Sequence, residues 1–144
     1  EYRRQRQMCI RDSIETALKG WISQGKNVSQ FEKDFAKKVG CKYAIACNSG
    51  SSANLIAIQA MIKIYKLKSG DEVIIPASTF ATVVMPIIQS GLIPVYVDVD
   101  LKSLNLDVNL LEKAISRRTK IIMPVHTLGS VSYIHLTLPT ILFV

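Results

Sequence analysis

The chain has 144 residues, of which 49% are hydrophobic, and its 18 basic and 11 acidic side chains give a formal net charge of +7. This length suits one small domain. Four arginines lie in the first 13 residues, and elsewhere the lysines are interspersed with acidic residues, as in FEKDFAKK. Mixed charge of this kind is typical of solvated helix faces, which argues against nucleic acid as a partner. The longest apolar run, LIAIQAMIKIYKL, contains Gln59, Lys63 and Lys66 and does not predict a membrane span.

The two ends of the chain are expected to be foreign to the protein. Residues 8–13 read MCIRDS, and DNA that encodes this segment has a reverse complement translating as VSYTHL. Residues 131–136 read VSYIHL, which differs at one position. This DNA resembles a transposon end that is used to prepare sequencing libraries; the alternative is an ordinary basic arm and an apolar tail. We expect residues 1–13 and 130–144 to be translated adaptor and residues 14–129 to be the protein.

Between these ends, helical and strand-like patterns alternate. The predicted elements are a helix over 28–39 that ends at Gly40, a strand over 43–47, a helix over 52–65, a turn over 69–71, a strand over 72–76, a helix over 79–91, a strand over 92–100, a helix over 109–115 and a strand over 119–125. The apolar faces of the first two helices are Val28, Phe31, Phe35 and Val39, and Leu55, Ile58, Ile62 and Tyr65. Pro86 is expected to kink the third helix or to mark its first turn. Strands that are apolar throughout and alternate with helices predict a parallel α/β sheet.

Polar clusters follow four of the predicted strands directly: NSGSSAN, PASTF, DVD and VHTLG. Ligands of parallel sheets bind outside the carboxyl ends of the strands, so these clusters predict a site at one edge. NSGSSAN also opens a helix, whose unpaired N–H groups and dipole favour an anion. The alternative is a plain helix cap by Ser51 or Ser52.

Six segments occur in a specific order and spacing: GWISQGKNVSQFEKDFAKKVG, CNSGSSAN, GDEVIIPASTFAT, GLIPVYVDVD, NLDVNLLEKAI and TKIIMPVHTLG. They resemble the DegT–StrS family of pyridoxal-phosphate-dependent sugar aminotransferases. The resemblance covers residues 14–129. It implies the α/β fold of aspartate aminotransferase (fold type I), a mostly parallel sheet with flanking helices, with this chain as the N-terminal part of the large, cofactor-binding domain. It also implies a homodimer and a cytoplasmic enzyme.

The resemblance implies that the anion is the 5′-phosphate of pyridoxal phosphate. Gly50 would let the backbone approach the phosphate, and Ser51 and Ser52 would donate backbone N–H groups and hydroxyls. Phe80 matches the aromatic residue that lies over the pyridine ring in the family. A core position on a helix is the alternative for Phe80.

Two further positions are weaker candidates for contact with the substrate or the ring. We expect His126, the only histidine within residues 14–129, to have a hydrogen-bonding structural role, with substrate or ring contact as the alternative. Gly25 and Trp21 match a family segment near the partner subunit and the substrate entrance, and ordinary packing is the alternative for Trp21.

No metal is expected. Asp98 and Asp100 follow a predicted strand, but two carboxylates are too few for a site, and capping of the strand end is the better interpretation. Cys41 and Cys47 occur without a CxxC motif or a histidine at ligand spacing. We expect both to be reduced thiols, with Cys47 buried at a strand end.

The resemblance implies amino transfer, with glutamate as donor, to a nucleotide-linked keto-deoxysugar in deoxyaminosugar or surface polysaccharide biosynthesis. One branch of the family instead removes the 3-hydroxyl of a CDP-linked 4-keto-6-deoxyhexose; it uses pyridoxamine phosphate and has a histidine in place of the Schiff-base lysine. NSGSSAN, PIIQSGLIPV and HTLG look like this branch. A third hypothesis is a cofactor-binding regulator without turnover. Because the Schiff-base residue and the aspartate at the ring nitrogen fall beyond Gly129 in the family pattern, we expect the chain by itself to be inactive.

Overall fold

The computed structural model describes residues 2–20 and 23–132, with the side chains of residues 2–8 left aside. It divides into two compact units, the first ending at Ala46 and the second beginning at Cys47. Within the described residues, no helix combines the length and the hydrophobicity that a membrane span needs.

The first unit contains two helices, α1 over Tyr2–Leu18 and α2 over Lys26–Val39. The predicted end of α2 is confirmed, because Gly40 follows it with a left-handed φ of 72° and its N–H donates to the last carbonyls of the helix. Helix α1 covers residues 8–13, but a helix says nothing of the DNA that encodes it. The foreign origin of the ends stays a prediction, which sequencing of an independent clone tests.

The predicted strand over 43–47 is wrong. This segment belongs to no strand of the described residues. Within it, the Ala46 N–H donates to a side chain, Glu32 Oε1, at 2.8 Å. An apolar run becomes a strand only where a neighbouring strand completes the ladder, and among the described residues this run is not a member of the sheet. Cys47 is accordingly half-buried instead of buried.

The second unit is built on a three-stranded parallel sheet. Strand β1 spans Glu72–Pro76, β2 spans Ile93–Val97 and β3 spans Thr119–Ile122, in the spatial order β2-β1-β3. Ile74 of β1 is paired with Val95 on one side and with Ile122 on the other. All five residues of β1 are buried, as expected for a central strand that is apolar on both faces.

Helices cover both faces of this sheet: α3 over Gly50–Tyr65, α4 over Ala81–Gln89 and α5 over Val108–Ala114. Because successive residues of a strand point to opposite faces, β1 contributes to two cores. One core joins α3 and α4 to the sheet and contains Ile58, Val73, Ile75, Val83, Ile87, Leu92, Ile121 and Met123. The other joins α5 to the sheet and contains Ile74, Val97, Leu106, Leu111 and Ile122. The predicted α/β class is confirmed.

Several predicted bounds are corrected. The strands end at Val97 and Ile122, earlier than expected; beyond β2 the chain turns back, and Val99 forms an isolated antiparallel bridge with Leu106. On α3, Ile58 of the predicted apolar face is buried, but Tyr65 of the same face is exposed. Asn54 is buried one turn before Ile58, which places a polar side chain in the packed face.

A buried carboxylate lies at the amino end of β1 and predicts acid sensitivity. The Glu72 side chain accepts from Ser116 Oγ at 2.6 Å and pairs with Arg118 Nη2 at 2.8 Å. The Ser116 hydrogen bond and the Arg118 charge lower the pKa of Glu72 against the opposing effect of burial. Since the folded state favours the ionised carboxylate, this contribution to stability is present above the unfolded-state pKa and is lost as the pH falls through the lower folded-state pKa.

We therefore expect Glu72→Gln to lower the free energy of unfolding at about pH 7. Between about pH 5 and about pH 3, the variant should lose less of this free energy than the wild type does. Urea denaturation of both proteins across this range is the measurement, and Glu112→Gln on α5 is a control for loss of an acidic residue. Parallel stability curves for wild type and Glu72→Gln would show that the carboxylate does not titrate as proposed.

Candidate functional site

The amino end of α3 forms the centre of the candidate site. The helix begins at Gly50, two residues earlier than predicted, and its cap is Ser49. Ser49 Oγ accepts from the Ser52 N–H at 3.2 Å, and the Ser49 carbonyl accepts from the Ala53 N–H. The alternative of a cap by Ser51 or Ser52 is therefore wrong. The cap lies outside these two residues, although the Ser49 hydroxyl also donates to Ser52 Oγ at 3.3 Å.

Two backbone donors at this helix end have no partner in the described part of the chain. The capping hydrogen bonds use the N–H groups of Ser52 and Ala53, so those of Gly50 and Ser51 remain. These N–H groups carry the positive end of the helix dipole. Ser51 is exposed and Ser52 is half-buried, so an anion has access to both.

Gly50 is not required by the chain's own packing or backbone geometry. A Cβ built at this position meets no atom within 4 Å, and its φ lies outside the left-handed region. The space beside the two free N–H groups is therefore open. A phosphate could approach the backbone there more closely than it could approach a residue with a side chain.

Phe80 lies at the cap position of α4, directly after the loop that follows β1. Its side chain is 74% exposed, which excludes the core position considered as the alternative. The preceding residue, Thr79, has a buried Oγ1 without a hydrogen-bond partner among the described residues. Buried hydroxyls are normally satisfied, so this loop carries one polar group that awaits a partner.

Helices α3 and α4 bring these features to one edge of the sheet. Asn54 contacts Thr82 near the start of both helices, and Gln59 contacts Ser90 further along both, so the helices run parallel. Because α4 begins just beyond the carboxyl end of β1, both helices begin at that edge. An open cleft of about 190 Å³ lies between them, lined by Ser51, Ser52, Leu55, Thr82, Met85, Pro86 and Gln89.

His126 follows β3 at the same edge. Its Nδ1 accepts from the Ser132 N–H at 2.9 Å, and Ser132 Oγ donates to the Val125 carbonyl at 2.7 Å. Both bonds involve Ser132, which belongs to the segment that we expect to be foreign, so the structural role of His126 stays a prediction. They use the ring nitrogen Nδ1, and the role of the histidine toward a substrate stays a prediction.

The two aspartates after β2 bind backbone groups. Asp98 Oδ1 accepts from the Val99 N–H, and Asp100 Oδ2 accepts from the N–H and hydroxyl of Ser103, both at 2.8 Å. The Ser103 hydrogen bonds lower the pKa of Asp100. Within residues 2–20 and 23–132, no three histidine, cysteine or acidic side chains are grouped as metal ligands would be.

Gly25 belongs to the first unit, where it precedes α2 with extended backbone. It lines a cleft there together with Thr16, Lys19, Ser23, Lys26, Asn27 and Val28. Trp21 lies outside the described residues. The substrate role suggested for Gly25 therefore stays a prediction.

The donors of the second unit fit a phosphate joined to a flat ring. Two free N–H groups, two hydroxyls and open space at Gly50 suit an anion, while an exposed aromatic face at Phe80 suits a conjugated ring. Acidic side chains are absent from the first turn of α3.

The sequence of the DegT/DnrJ/EryC1/StrS aminotransferase family matches residues 5–137. The chain belongs to this family.

Relatives in the family act in sugar metabolism. The lipopolysaccharide biosynthesis protein RfbH of Salmonella typhimurium is 44% identical over 121 residues, which are 81% of this chain and 28% of the relative. The GDP-4-keto-6-deoxy-D-mannose 3-dehydratase of Yersinia pseudotuberculosis is 46% identical over 111 residues, 76% of this chain and 28% of the relative. The chain thus spans less than a third of the length of these curated relatives.

A solved structure carries the same fold with a cofactor. It is that of the E. coli GDP-4-keto-6-deoxy-D-mannose-3-dehydratase with bound hydrated pyridoxal phosphate, with a TM-score of 0.73 and 40% identity over 79% of this chain and 30% of that one. The family consists of pyridoxal-phosphate-dependent sugar aminotransferases and dehydratases. The predictions of family and fold are confirmed, and solved structures of the family carry the expected cofactor.

Proposed function

We propose that the protein containing this chain is a pyridoxal-phosphate-dependent enzyme acting on a nucleotide-linked keto-deoxysugar, and that it transfers an amino group to that sugar. The observation that carries the proposal is the open amino end of α3, with two free N–H groups beside Gly50. Pyridoxal phosphate, when bound, supplies an electron sink for chemistry at carbon next to nitrogen.

The chain's own residues would bind and orient that cofactor. The N–H groups of Gly50 and Ser51 would donate to the phosphate dianion, and the hydroxyls of Ser51 and Ser52 would add donors at the same helix end. Charge-assisted hydrogen bonds of this kind contribute about 1.5–3 kcal/mol each. Phe80 would cover one face of the ring and keep water from it.

The rest of the active site is proposed from family membership. We propose that a lysine or histidine beyond Gly129 in the whole protein holds and moves the proton of the reaction, that the protein is a cytoplasmic homodimer, and that glutamate is the amino donor.

A second candidate reaction is removal of the 3-hydroxyl from a 4-keto-6-deoxyhexose linked to a nucleotide. The observation that favours it is the 46% identity to the Yersinia 3-dehydratase, together with the HTLG segment after β3. In this case pyridoxamine phosphate would be the working form of the cofactor, in the same phosphate site.

The experiment is an assay of the full-length protein with pyridoxal phosphate, glutamate and a GDP- or CDP-linked 4-keto-6-deoxyhexose, followed by mass spectrometry of the nucleotide sugar. Amino transfer predicts an amino group in place of the keto oxygen and one 2-oxoglutarate for each product molecule. The 3-dehydratase predicts loss of the 3-hydroxyl and no amino group in the sugar. A protein that binds no pyridoxal phosphate and converts neither sugar would contradict both reactions.

A further inference from the structure

Helix α4 contains a proline that deprives one carbonyl of its usual partner. Pro86 is inside Ala81–Gln89, and not in the first turn where a proline is tolerated. A residue at this position normally donates its N–H to the carbonyl four residues earlier, which is that of Thr82. Proline has no N–H, so the Thr82 carbonyl needs another donor.

Asn54 of α3 provides this donor. Its side chain is only 8% exposed, and its Nδ2 donates to the Thr82 carbonyl at 3.2 Å. Asn54 therefore completes a hydrogen bond that α4 cannot make by itself. The bond joins the first turn of α4 to α3 just beyond Gly50 and Ser51, where the candidate phosphate site begins.

A second polar contact joins the same helices further along. Gln59 Nε2 donates to Ser90 Oγ at 2.8 Å, and Ser90 Oγ donates to the Pro86 carbonyl at 2.7 Å. Between the two contacts, the fully buried Ile58 packs in the common core. The helices are thus joined at two places, and only the Asn54 contact lies near the candidate site.

We propose that Asn54 is a positioning residue, which fixes the first turn of α4, and with it Phe80, against the phosphate-binding end of α3. This inference rests on the proposed cofactor site. Thr82 follows Phe80 by two residues, so any movement of the Thr82 carbonyl toward solvent carries the cap of α4 with it. Loss of the Asn54 donor leaves that carbonyl without its protein partner, and a shift of the first turn of α4 toward solvent would satisfy it again.

A double-mutant cycle between Asn54 and Pro86 tests the proposal in the full-length protein. Asn54→Leu keeps the size of the side chain but removes the donor. Pro86→Ala restores an N–H that reaches the Thr82 carbonyl within α4. We expect Asn54→Leu to raise the Kd for pyridoxal phosphate about tenfold in the wild-type background and about twofold or less in the Pro86→Ala background.

Gln59→Ala is the matched control, because it removes the contact far from the site. It should leave the Kd within about twofold of wild type. The induced circular dichroism of the bound cofactor, which reports on its seating against Phe80, should change in Asn54→Leu and return in the double variant. Equal effects of Asn54→Leu in both backgrounds, or an unchanged Kd in Asn54→Leu, would overturn the positioning role.

Failure of a variant to fold would also decide for or against the proposal. If Asn54→Leu alone does not fold while Asn54→Leu/Pro86→Ala folds and binds normally, the rescue supports the proposal. If neither folds, Asn54 acts through something other than the Thr82 carbonyl, and the proposal is wrong. A wild-type protein that binds no pyridoxal phosphate would overturn the proposed function itself. Thermal denaturation of the four proteins in the cycle would still show whether Asn54 and Pro86 are coupled, so the two failures can be distinguished.

Discussion

Gly50→Asp should lower the affinity of the full-length protein for pyridoxal phosphate by a factor of about 100 or more, without lowering its thermal stability. A carboxylate at this position would occupy the open space beside the Gly50 and Ser51 N–H groups and repel the phosphate dianion. Loss of two charge-assisted hydrogen bonds, at about 1.5–3 kcal/mol each, gives this factor. An acidic residue in the first turn of a helix stabilises it by about 0.3–1 kcal/mol, so the melting temperature of the apoprotein should stay or rise.

Gly50→Ala is the control for this substitution, because it fills part of the same space without adding charge. It should weaken cofactor binding much less than Gly50→Asp and should leave stability nearly unchanged. The two quantities are measured by absorbance titration of the apoprotein with pyridoxal phosphate and by thermal denaturation. Wild-type affinity in Gly50→Asp would place the phosphate away from α3.

Ile58→Ala should reduce the free energy of unfolding by about 2–5 kcal/mol, the range for truncation of a fully buried isoleucine. Ile58 has no exposed surface and joins α3 to the sheet on the face shared with α4. Ile56, on the same helix, is 47% exposed. Ile56→Ala is therefore the matched control and should cost about 0.5 kcal/mol or less.

Urea denaturation of the full-length apoprotein measures both changes. The comparison tests whether α3 packs on the sheet through Ile58, which is what holds the phosphate-binding end of the helix in place. Equal losses of stability in Ile58→Ala and Ile56→Ala would contradict this packing.

The local sequence pattern correctly predicted those helices and strands whose bounds depend only on their own residues. The run EVIIP has three consecutive apolar residues after Glu72, follows a glycine turn and ends at a proline, and it forms β1 with the predicted bounds. The end of α2 at Gly40 was likewise predictable, because glycine readily adopts the left-handed conformation that closes the helix there. The run YAIAC is equally apolar but forms no strand in the described residues, since a strand also depends on a neighbour that local pattern does not supply.

The candidate site was predictable in part. Gly50, Ser51 and Ser52 stand out as small polar residues between an apolar run and a helix, and the structure brings them to an open helix end. Sequence could not select Ser49 as the cap, because any of three neighbouring serines could serve.

The role of Asn54 could not be predicted because its acceptor, the Thr82 carbonyl, lies 28 residues away. The one available signal was Pro86 within a helical pattern, which indicates a carbonyl in need of a donor. The unpartnered Thr79 hydroxyl left no signal in the sequence, since its burial depends on the folding of the loop after β1.

The most direct test of the central claim is a crystal structure of the full-length protein with pyridoxal phosphate. The account predicts phosphate oxygens at about 2.7–3.2 Å from the Gly50 and Ser51 backbone nitrogens, with the pyridine ring against Phe80. A phosphate bound elsewhere, with the amino end of α3 facing only water, would contradict it.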